Sequence, residues 1–157
     1  FPTRRSSDLR EVEYAKGYLT IQKMRYKDKL EFEIDVEPSI LNIPLIKLVL
    51  QPIIENAIYH GLKYKESKGL LQVKGFMKDG NAVLQVIDNG VGMDEETLSH
   101  IYDKHKVNYH SNGVGVYNVQ KRLKLYYGEN YGITYESEKG VGTTATITIP
   151  GIQEESI

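Results

Sequence analysis

The sequence predicts a single α+β domain with a mostly antiparallel sheet, and two hairpin patterns and the order of the helices carry that prediction. Segments of alternating apolar and polar residues occur in two pairs, 71–78 with 82–87 around Asp79-Gly80-Asn81, and 133–138 with 143–149 around Lys139-Gly140. Short turns that contain glycine favour β-hairpins. The helical patterns do not alternate strictly with the strands, as they would in a doubly wound fold.

Length and composition restrict the function classes. The chain has 157 residues, enough for one hydrophobic core, and carries 20 lysines and arginines against 21 aspartates and glutamates. This balance gives no electrostatic footprint for nucleic acid, so we expect no nucleic-acid partner. The absence of cysteine excludes disulfides, thiolate metal sites and a cysteine nucleophile, and it fits a cytoplasmic protein. No apolar run reaches the roughly 18 residues of a membrane span.

The N-terminal part predicts a tail, a helix and a strand. Residues 1–8 have no periodicity, and we assign them to a tail or a non-native leader. Residues 9–27 repeat apolar side chains at helical spacing, which predicts an amphipathic helix. Residues 30–36 alternate between apolar and acidic side chains, which predicts a half-buried strand that Pro38 ends.

The middle of the chain predicts further helices. One should begin near Pro44, since proline suits a first helical turn, and run to Ile58, with a kink at Pro52. A short helix is expected at 95–102 and a longer one at 114–127. Residues 103–112 are polar without a clear pattern, so we predict a mobile loop there, and we assign residues 151–157 to a C-terminal tail.

The first motif with chemical potential is Glu55-Asn56-Ala57-Ile58-Tyr59-His60-Gly61. Helical spacing puts Asn56 and His60 on one face, with Glu55 beside them. An Asn or Glu oxygen there is a suitable hard ligand for Mg²⁺, which is commonly shared with substrate phosphates. An ordinary solvated polar face explains the same three residues equally well.

Two glycine-containing motifs occur further along the chain. Asp88-Asn89-Gly90-Val91-Gly92 ends a predicted strand, where glycines permit close approach to a planar ligand and an aspartate can accept from an exocyclic amine; a plain tight turn is the alternative. Gly113-Val114-Gly115 opens a predicted helix, whose free N–H groups favour phosphate. Neither motif is a P-loop or a dinucleotide-binding motif, because the Lys-Ser/Thr pair and the third glycine are absent.

Together and in this order, the three motifs resemble the N, G1 and G2 boxes of GHKL ATP-binding domains. Residues 50–61 (LQPIIENAIYHG) are most similar to the N box of LytS/YesM-type sensor histidine kinases. Residues 18–26 resemble the family's segment before the N box, residues 122–128 its segment after the G2 box, and residues 140–144 its closing motif. The resemblance extends over about residues 9–150.

The resemblance implies the Bergerat fold, a two-layer α/β sandwich in which helices cover one face of a mixed sheet and ATP lies under a flexible lid. It implies that Asn56 coordinates Mg²⁺ and that Asp88 binds the adenine amino group, with Gly90 and Gly92 bordering the base. His60, in the N box, is assigned with them to cofactor binding.

The remaining roles concern the lid and the acceptor. The resemblance implies a lid at residues 93–112, with Gly113 and Gly115 at its end opening the helix onto the phosphates and Thr143 closing the adenine pocket. Glu55 would be a general base on water in related ATPases, whereas kinases transfer the phosphoryl group to a histidine.

This chain departs from the family at three places. Tyr59 stands where many histidine kinases have a phosphate-contacting lysine, which leaves Lys63, Lys121 and Arg122 as candidate cations. The phenylalanine-rich box is reduced to Ile101-Tyr102-Asp103. No histidine matches the family's phosphoacceptor, because His60 belongs to the N box and His100, His105 and His110 lie in the lid region, where their spacing puts them on no common helical face for a metal.

The resemblance therefore implies a helix at 9–28 leading from a dimerisation and phosphoacceptor region outside this chain, and an ATP-binding catalytic domain at 29–150. The implied cofactors are ATP and Mg²⁺, and the implied partners are that region and a response regulator. The parent would be a membrane-anchored homodimer with this domain in the cytoplasm. The leading function is a histidine kinase catalytic domain; a GHKL ATPase using Glu55 and a degenerate nucleotide-binding or interaction module remain as alternatives.

Overall fold

The structure, a computed structural model, describes residues 5–102 and 113–151, with side chains over 10–102 and 115–151. Its elements, in chain order, are strand β1 (Arg5–Ser7), helix α1 (Asp8–Tyr26), strands β2 (Leu30–Val36) and β3 (Pro44–Ile46), helix α2 (Leu50–Asn56), strands β4 (Gly69–Lys78) and β5 (Asn81–Asp88), helices α3 (Glu95–Ser99) and α4 (Gly113–Tyr127), and strands β6 (Gly132–Glu138) and β7 (Gly142–Pro150). A π-helical segment, Ala57–Leu62, continues α2 directly, and we call it the π turn. The predicted α+β class is confirmed.

Five strands form the main sheet in the order β2-β4-β5-β7-β6. The pair β2 and β4 is parallel and the other pairs are antiparallel. Buried residues alternate along β4, β5 and β7, so one face of the sheet contributes to the core. Helix α1 contacts β2, the π turn contacts the central strands, and α4 contacts β6 and β7, which covers that face with one helical layer.

Both predicted hairpins are confirmed. The pairing of Lys78 with Asn81 closes the β4–β5 turn around Asp79 and Gly80, which both have positive φ. Glycine and aspartate tolerate this conformation, so the turn chemistry explains why the sequence located these strands within two residues. Part of the tail predicted for residues 1–8 is ordered, because residues 5–7 form β1. The predicted mobile loop at 103–112 lies outside the described residues, as do residues 1–4 and 152–157.

The helix predicted from Pro44 begins later, at Leu50. Residues Pro44–Ile46 pair antiparallel with Arg5–Ser7 instead, and Leu48 has a φ of 60°, which no right-handed helix accepts. Pro52, where a kink or local opening was expected, falls in the first turn of α2, and its missing N–H removes no helical hydrogen bond there. The helix predicted at 95–102 ends earlier, at Ser99. Asp94 caps its N-terminus, where the carboxylate accepts from the Thr97 N–H at 2.7 Å.

The segment before α2 is held by two charged side chains. Glu11 of α1 is 3% exposed, and its carboxylate accepts a 2.8 Å hydrogen bond from the Leu48 N–H. Arg122 of α4 donates to the carbonyl oxygens of Leu48, at 3.2 Å, and of Lys47. We call this arrangement the Leu48 clamp. It stabilises a left-handed residue that would otherwise cost free energy.

We found no helix in the described part of the chain that is long and apolar enough to cross a membrane.

Replacement of Glu11 by alanine should lower the free energy of unfolding by about 1–3 kcal/mol, because the Leu48 N–H loses its partner and a buried cavity forms. Denaturant unfolding measures this. The control is Glu13→Ala on the exposed side of the same helix, with an expected change within about 0.5 kcal/mol. Equal effects of the two substitutions would contradict the clamp.

Candidate functional site

A cavity of about 350 Å³ lies between the helical layer and the sheet, and most of the predicted site residues meet there. The walls come from the α2–π turn junction on one side and from β5, β6 and β7 on the other, and α3 and the residues around it also line the cavity. The lining residues are Ile53, Asn56, Ala57, His60, Gly61, Val86, Asp88, Gly92, Met93, Glu96, Thr97, His100, Ile101, Tyr135, Thr143 and Ala145.

Asp88, the last residue of β5, provides a buried carboxylate in this cavity. Its side chain is 5% exposed and accepts a hydrogen bond from the Gly90 N–H at 2.9 Å. Burial raises the pKa of Asp88 to about 6, although the N–H groups of Gly90 and Thr143 lower it in part. No lysine or arginine that the structure describes pairs with it. The carboxylate therefore retains capacity to accept hydrogen bonds from a ligand.

The turn after Asp88 is packed backbone against backbone. A Cβ on Gly90 would lie 2.3 Å from the carbonyl carbon of Gly61, and a Cβ on Gly61 would lie 2.7 Å from the Asp88 carboxylate. The Val91 N–H donates to the Gly61 carbonyl at 3.1 Å, which joins this turn to the π turn. Glycine is thus required at position 90 for steric reasons, whereas a side chain at position 61 would displace the Asp88 carboxylate. Gly61 belongs to the first sequence motif, but nothing in the sequence indicated that it contacts Asp88.

Gly92 fixes the other side of the same turn. It has a φ of 70°, and a Cβ there would lie 2.0 Å from the carbonyl oxygen of Glu138. Ser137 of β6 connects the turn after Asp88 with β7. Its hydroxyl accepts from the Met93 N–H at 2.8 Å and lies 2.7 Å from the Thr143 hydroxyl. Thr143 pairs in register with Asp88, so it lies beside the carboxylate at the cavity wall.

Asn56 and His60 line the cavity from the helical side, as the sequence predicts. Asn56 is the last residue of α2 and is 8% exposed. Burial and the nearby Lys63 lower the pKa of His60, which favours the neutral imidazole. Glu55 does not line the cavity; its carboxylate accepts a hydrogen bond from the Gln51 side chain at 3.1 Å. The structure therefore brings together two of the three polar residues of this motif.

Gly113 and Gly115 form the first turn of α4, and Gly115 lies against Pro52 at the start of α2. Gly115 does not line the cavity. His105 and His110 lie outside the described residues, whereas His100 lines the cavity. From the predicted lid at 93–112, the described residues on the cavity wall are Met93, Glu96, Thr97, His100 and Ile101.

The candidate cations occupy different places. Arg122 donates to the carbonyl oxygens of the Leu48 clamp, and Lys121 is exposed on α4. Lys63, at the end of the π turn, places its ammonium 4.5 Å from the centre of the Tyr59 ring, a cation–π contact. Tyr59 in turn makes an edge contact with His60 of the cavity wall, at 5.0 Å between ring centres.

Comparison with known proteins supports one family. Residues 42–153 match the family model described as histidine kinase-, DNA gyrase B- and HSP90-like ATPases. The chain is 32% identical over 140 residues to the sensor histidine kinase YesM of Bacillus subtilis, covering 89% of this chain and 23% of that protein. It is 34% identical over 123 residues to the sensor protein LytS of Oceanobacillus iheyensis, covering 77% of this chain and 21% of that protein. The chain thus spans less than a quarter of the length of these relatives.

Solved structures share the fold. The catalytic domain of the histidine kinase ThkA superposes with a TM-score of 0.67 at 16% identity, covering 94% of this chain and 96% of that one. The mycobacterial sensor histidine kinase MprB gives a TM-score of 0.64 at 18% identity, covering 95% and 97%. These likenesses confirm the two-layer α/β sandwich with a mixed sheet that the sequence resemblance implied.

The raised pKa of Asp88 predicts a pH-dependent stability. Because the buried carboxyl takes up its proton more readily in the folded state than in the unfolded chain, ionisation of Asp88 destabilises the fold as the pH rises from about 4 through about 6. Asp88→Asn removes this effect, so its stability relative to the wild type should increase over that range by at most about 3 kcal/mol.

Denaturant unfolding of both proteins between pH 4 and pH 8 measures the difference. Asp79→Asn is the control, because it makes the same carboxyl-to-amide change at an exposed position in the β4–β5 turn. A pH-independent difference for Asp88→Asn would show that the carboxyl is not desolvated.

Proposed function

The chain belongs to the family of histidine kinase-, DNA gyrase B- and HSP90-like ATPases, and from that premise we propose that it is the ATP-binding catalytic domain of a sensor histidine kinase of the LytS/YesM type. In this proposal it binds ATP with Mg²⁺ and transfers the γ-phosphoryl group to a histidine on a dimerisation region outside this chain. The observation that carries the proposal is the buried Asp88 carboxylate, which lies with Asn56 in one cavity of otherwise largely apolar walls.

The cavity suits an adenine base. Ile53, Val86 and Ala145 provide apolar surface for a planar ring, and the ionised Asp88 accepts hydrogen from an exocyclic amine. A guanine base would instead turn a carbonyl oxygen towards the carboxylate. Because two acceptors repel each other and the site is desolvated, we expect a preference for adenine over guanine.

Asn56 is the proposed protein ligand of Mg²⁺. Its side-chain oxygen is a hard donor on the cavity wall, and the described residues form no cluster of three or more acidic, histidine or cysteine side chains that could cage a metal. This fits Mg²⁺, which keeps several waters and binds through substrate phosphates with one or two protein oxygens. When bound, Mg²⁺ neutralises charge on the phosphates.

The phosphates would extend towards the first turn of α4. The first N–H groups of a helix have no intrahelical partner, and the positive end of the helix dipole favours an anion, so we propose that the turn at Gly113 and Gly115 binds phosphate. Lys63 is the proposed additional cation, because Arg122 already donates to the Leu48 clamp and Lys121 is exposed. The contact with Tyr59 would hold the Lys63 ammonium near the position that the family's lysine occupies.

The ATPase alternative depends on Glu55. A general base must reach the attacking water, but Glu55 faces Gln51 rather than the cavity. The geometry therefore favours phosphoryl transfer to a histidine. The proposed partners are a response regulator and the chain's own dimerisation region, and the proposed parent is a membrane-anchored homodimer with this domain in the cytoplasm.

Calorimetric titration of this chain with a non-hydrolysable ATP analogue, with and without Mg²⁺, tests the binding site. We expect Mg²⁺ to strengthen binding, and Asn56→Ala to abolish that gain.

Lys63→Met should weaken binding of the ATP analogue but not of adenosine, and the exposed Lys78→Met on β4 is its control. The matching GTP analogue should bind more weakly, and Asp88→Ala should reduce that preference. Unchanged affinities in Asn56→Ala and Asp88→Ala would refute the residue assignment.

Addition of the dimerisation region from the parent protein separates kinase from ATPase. With γ-labelled ATP, label on its histidine supports the kinase, and loss of that label in Asn56→Ala but not in Glu55→Gln would support our assignment of roles. Steady release of inorganic phosphate by the isolated domain, abolished in Glu55→Gln, would support the ATPase instead. A chain that binds no nucleotide would leave only an interaction module.

A further inference from the structure

The hydroxyl of Tyr135 is buried and unpaired in the candidate site. Its oxygen is inaccessible to solvent, and it has no hydrogen-bond partner; no other buried side-chain nitrogen or oxygen in the described part of the chain lacks one. Leaving a buried hydroxyl unpaired costs free energy, whereas phenylalanine would fill nearly the same volume without that cost. Such a group is expected where a ligand completes its hydrogen bonding.

Tyr135 lies on the sheet side of the cavity. On β6 it pairs in register with Ala145 of β7, which pairs in turn with Val86 of β5, and all three residues line the cavity. They form one row across three strands. The next row on the same face of the sheet contains Asp88 and Thr143, so the phenol belongs to the same surface as the buried carboxylate.

The neighbours of Tyr135 leave its hydroxyl without a partner. Tyr102 packs against the ring edge-on at 6.0 Å between centres, but its own hydroxyl donates to the Ile133 carbonyl at 2.7 Å. The Asn56 amide is the remaining polar neighbour; it is close enough to interact with the Tyr135 phenol as a donor, but it does not reach hydrogen-bond geometry and does not use the O–H. A tyrosine phenol is protonated at neutral pH, so the Tyr135 O–H is able to donate.

We propose that Tyr135 is a nucleoside-contacting residue whose hydroxyl donates a hydrogen bond to a ring nitrogen of the base that occupies this cavity. The inference rests on the proposed function and extends it to a residue outside the three sequence motifs. Asp88 accepts from the exocyclic amine and Tyr135 donates to a ring nitrogen, which matches the donor and acceptor pattern at the edges of adenine.

The contact is with the base rather than with the phosphates. The Tyr135 hydroxyl is excluded from solvent and shares its wall with apolar residues and with a desolvated carboxylate. Phosphates placed beside the Asp88 carboxylate would be repelled in a low-dielectric environment. They belong instead further from Asp88, where water and Mg²⁺ can neutralise them.

Tyr135→Phe tests the proposal by two measurements, the affinity for the nucleoside, which should fall, and the thermal midpoint, which should not. We expect the affinities for adenosine and for ADP to fall by about 5- to 10-fold each, the loss of one hydrogen bond. In the absence of nucleotide, the thermal midpoint should stay the same or rise, because an unpaired buried group is removed. Tyr102→Phe is the matched control and should lower the midpoint, since the Ile133 carbonyl loses its donor.

Base analogues identify the contacted atom. The wild-type chain should bind either 1-deazaadenosine or 7-deazaadenosine about 5- to 10-fold more weakly than adenosine, while Tyr135→Phe should bind that analogue and adenosine equally. If the wild-type chain binds adenosine and both analogues with the same affinity, the ring-nitrogen contact is overturned. A loss for ADP without a loss for adenosine would overturn the assignment to the base.

The failures of the two proposals are distinguishable. If the wild-type chain binds adenosine and prefers it to guanosine, but Tyr135→Phe binds both as the wild type does, the Tyr135 inference is wrong and the proposed function stands. If the wild-type chain binds neither nucleoside nor nucleotide, the proposed function fails and the inference fails with it.

Discussion

The site depends on the contact between the backbones of Gly61 and Gly90. These two glycines bring the helical layer and the end of β5 so close together that a single Cβ at either position would overlap its neighbour. The hydrogen bond from Val91 to Gly61 fixes the contact. Because interiors are close-packed and cannot absorb an added methyl group at such a distance, the position of this contact determines how far Asp88 is buried. The raised pKa of Asp88 is thus a consequence of two absent side chains.

The change from α- to π-helical geometry after Asn56 affects which of the residues after it reach the cavity. A π turn widens the helix and shifts the positions after it, and such turns are frequent at functional sites. Asn56, His60 and Gly61 reach the cavity wall, whereas Glu55 remains with Gln51 on another side of the helix. Helical spacing places adjacent residues about 100° apart and so separates Asn56 from Glu55, but it does not indicate which of the two faces the cavity.

Local chemistry determined how much could be predicted from the sequence. The hairpins and most element bounds follow from alternation and turn residues, and the family assignment from three ordered motifs is confirmed. The helix start at Pro44 was wrong because pairing with residues 5–7 overrides local propensity, and such long-range pairing leaves no local signal. Tyr135 was missed for a similar reason: alternation along β6 can indicate its face, but not the absence of a hydrogen-bond partner. The roles of the individual site residues stay predictions.

The Leu48 clamp has a consequence for the cooperativity of the domain. One peptide segment receives its two hydrogen-bonded contacts from residues 37 positions before it and 74 positions after it. Neither α1 nor α4 can detach without leaving a backbone group of this segment unpaired, so local opening of one helix also weakens the attachment of the other. The first and last helices of the described chain therefore belong to one unfolding unit, although they lie far apart in the sequence.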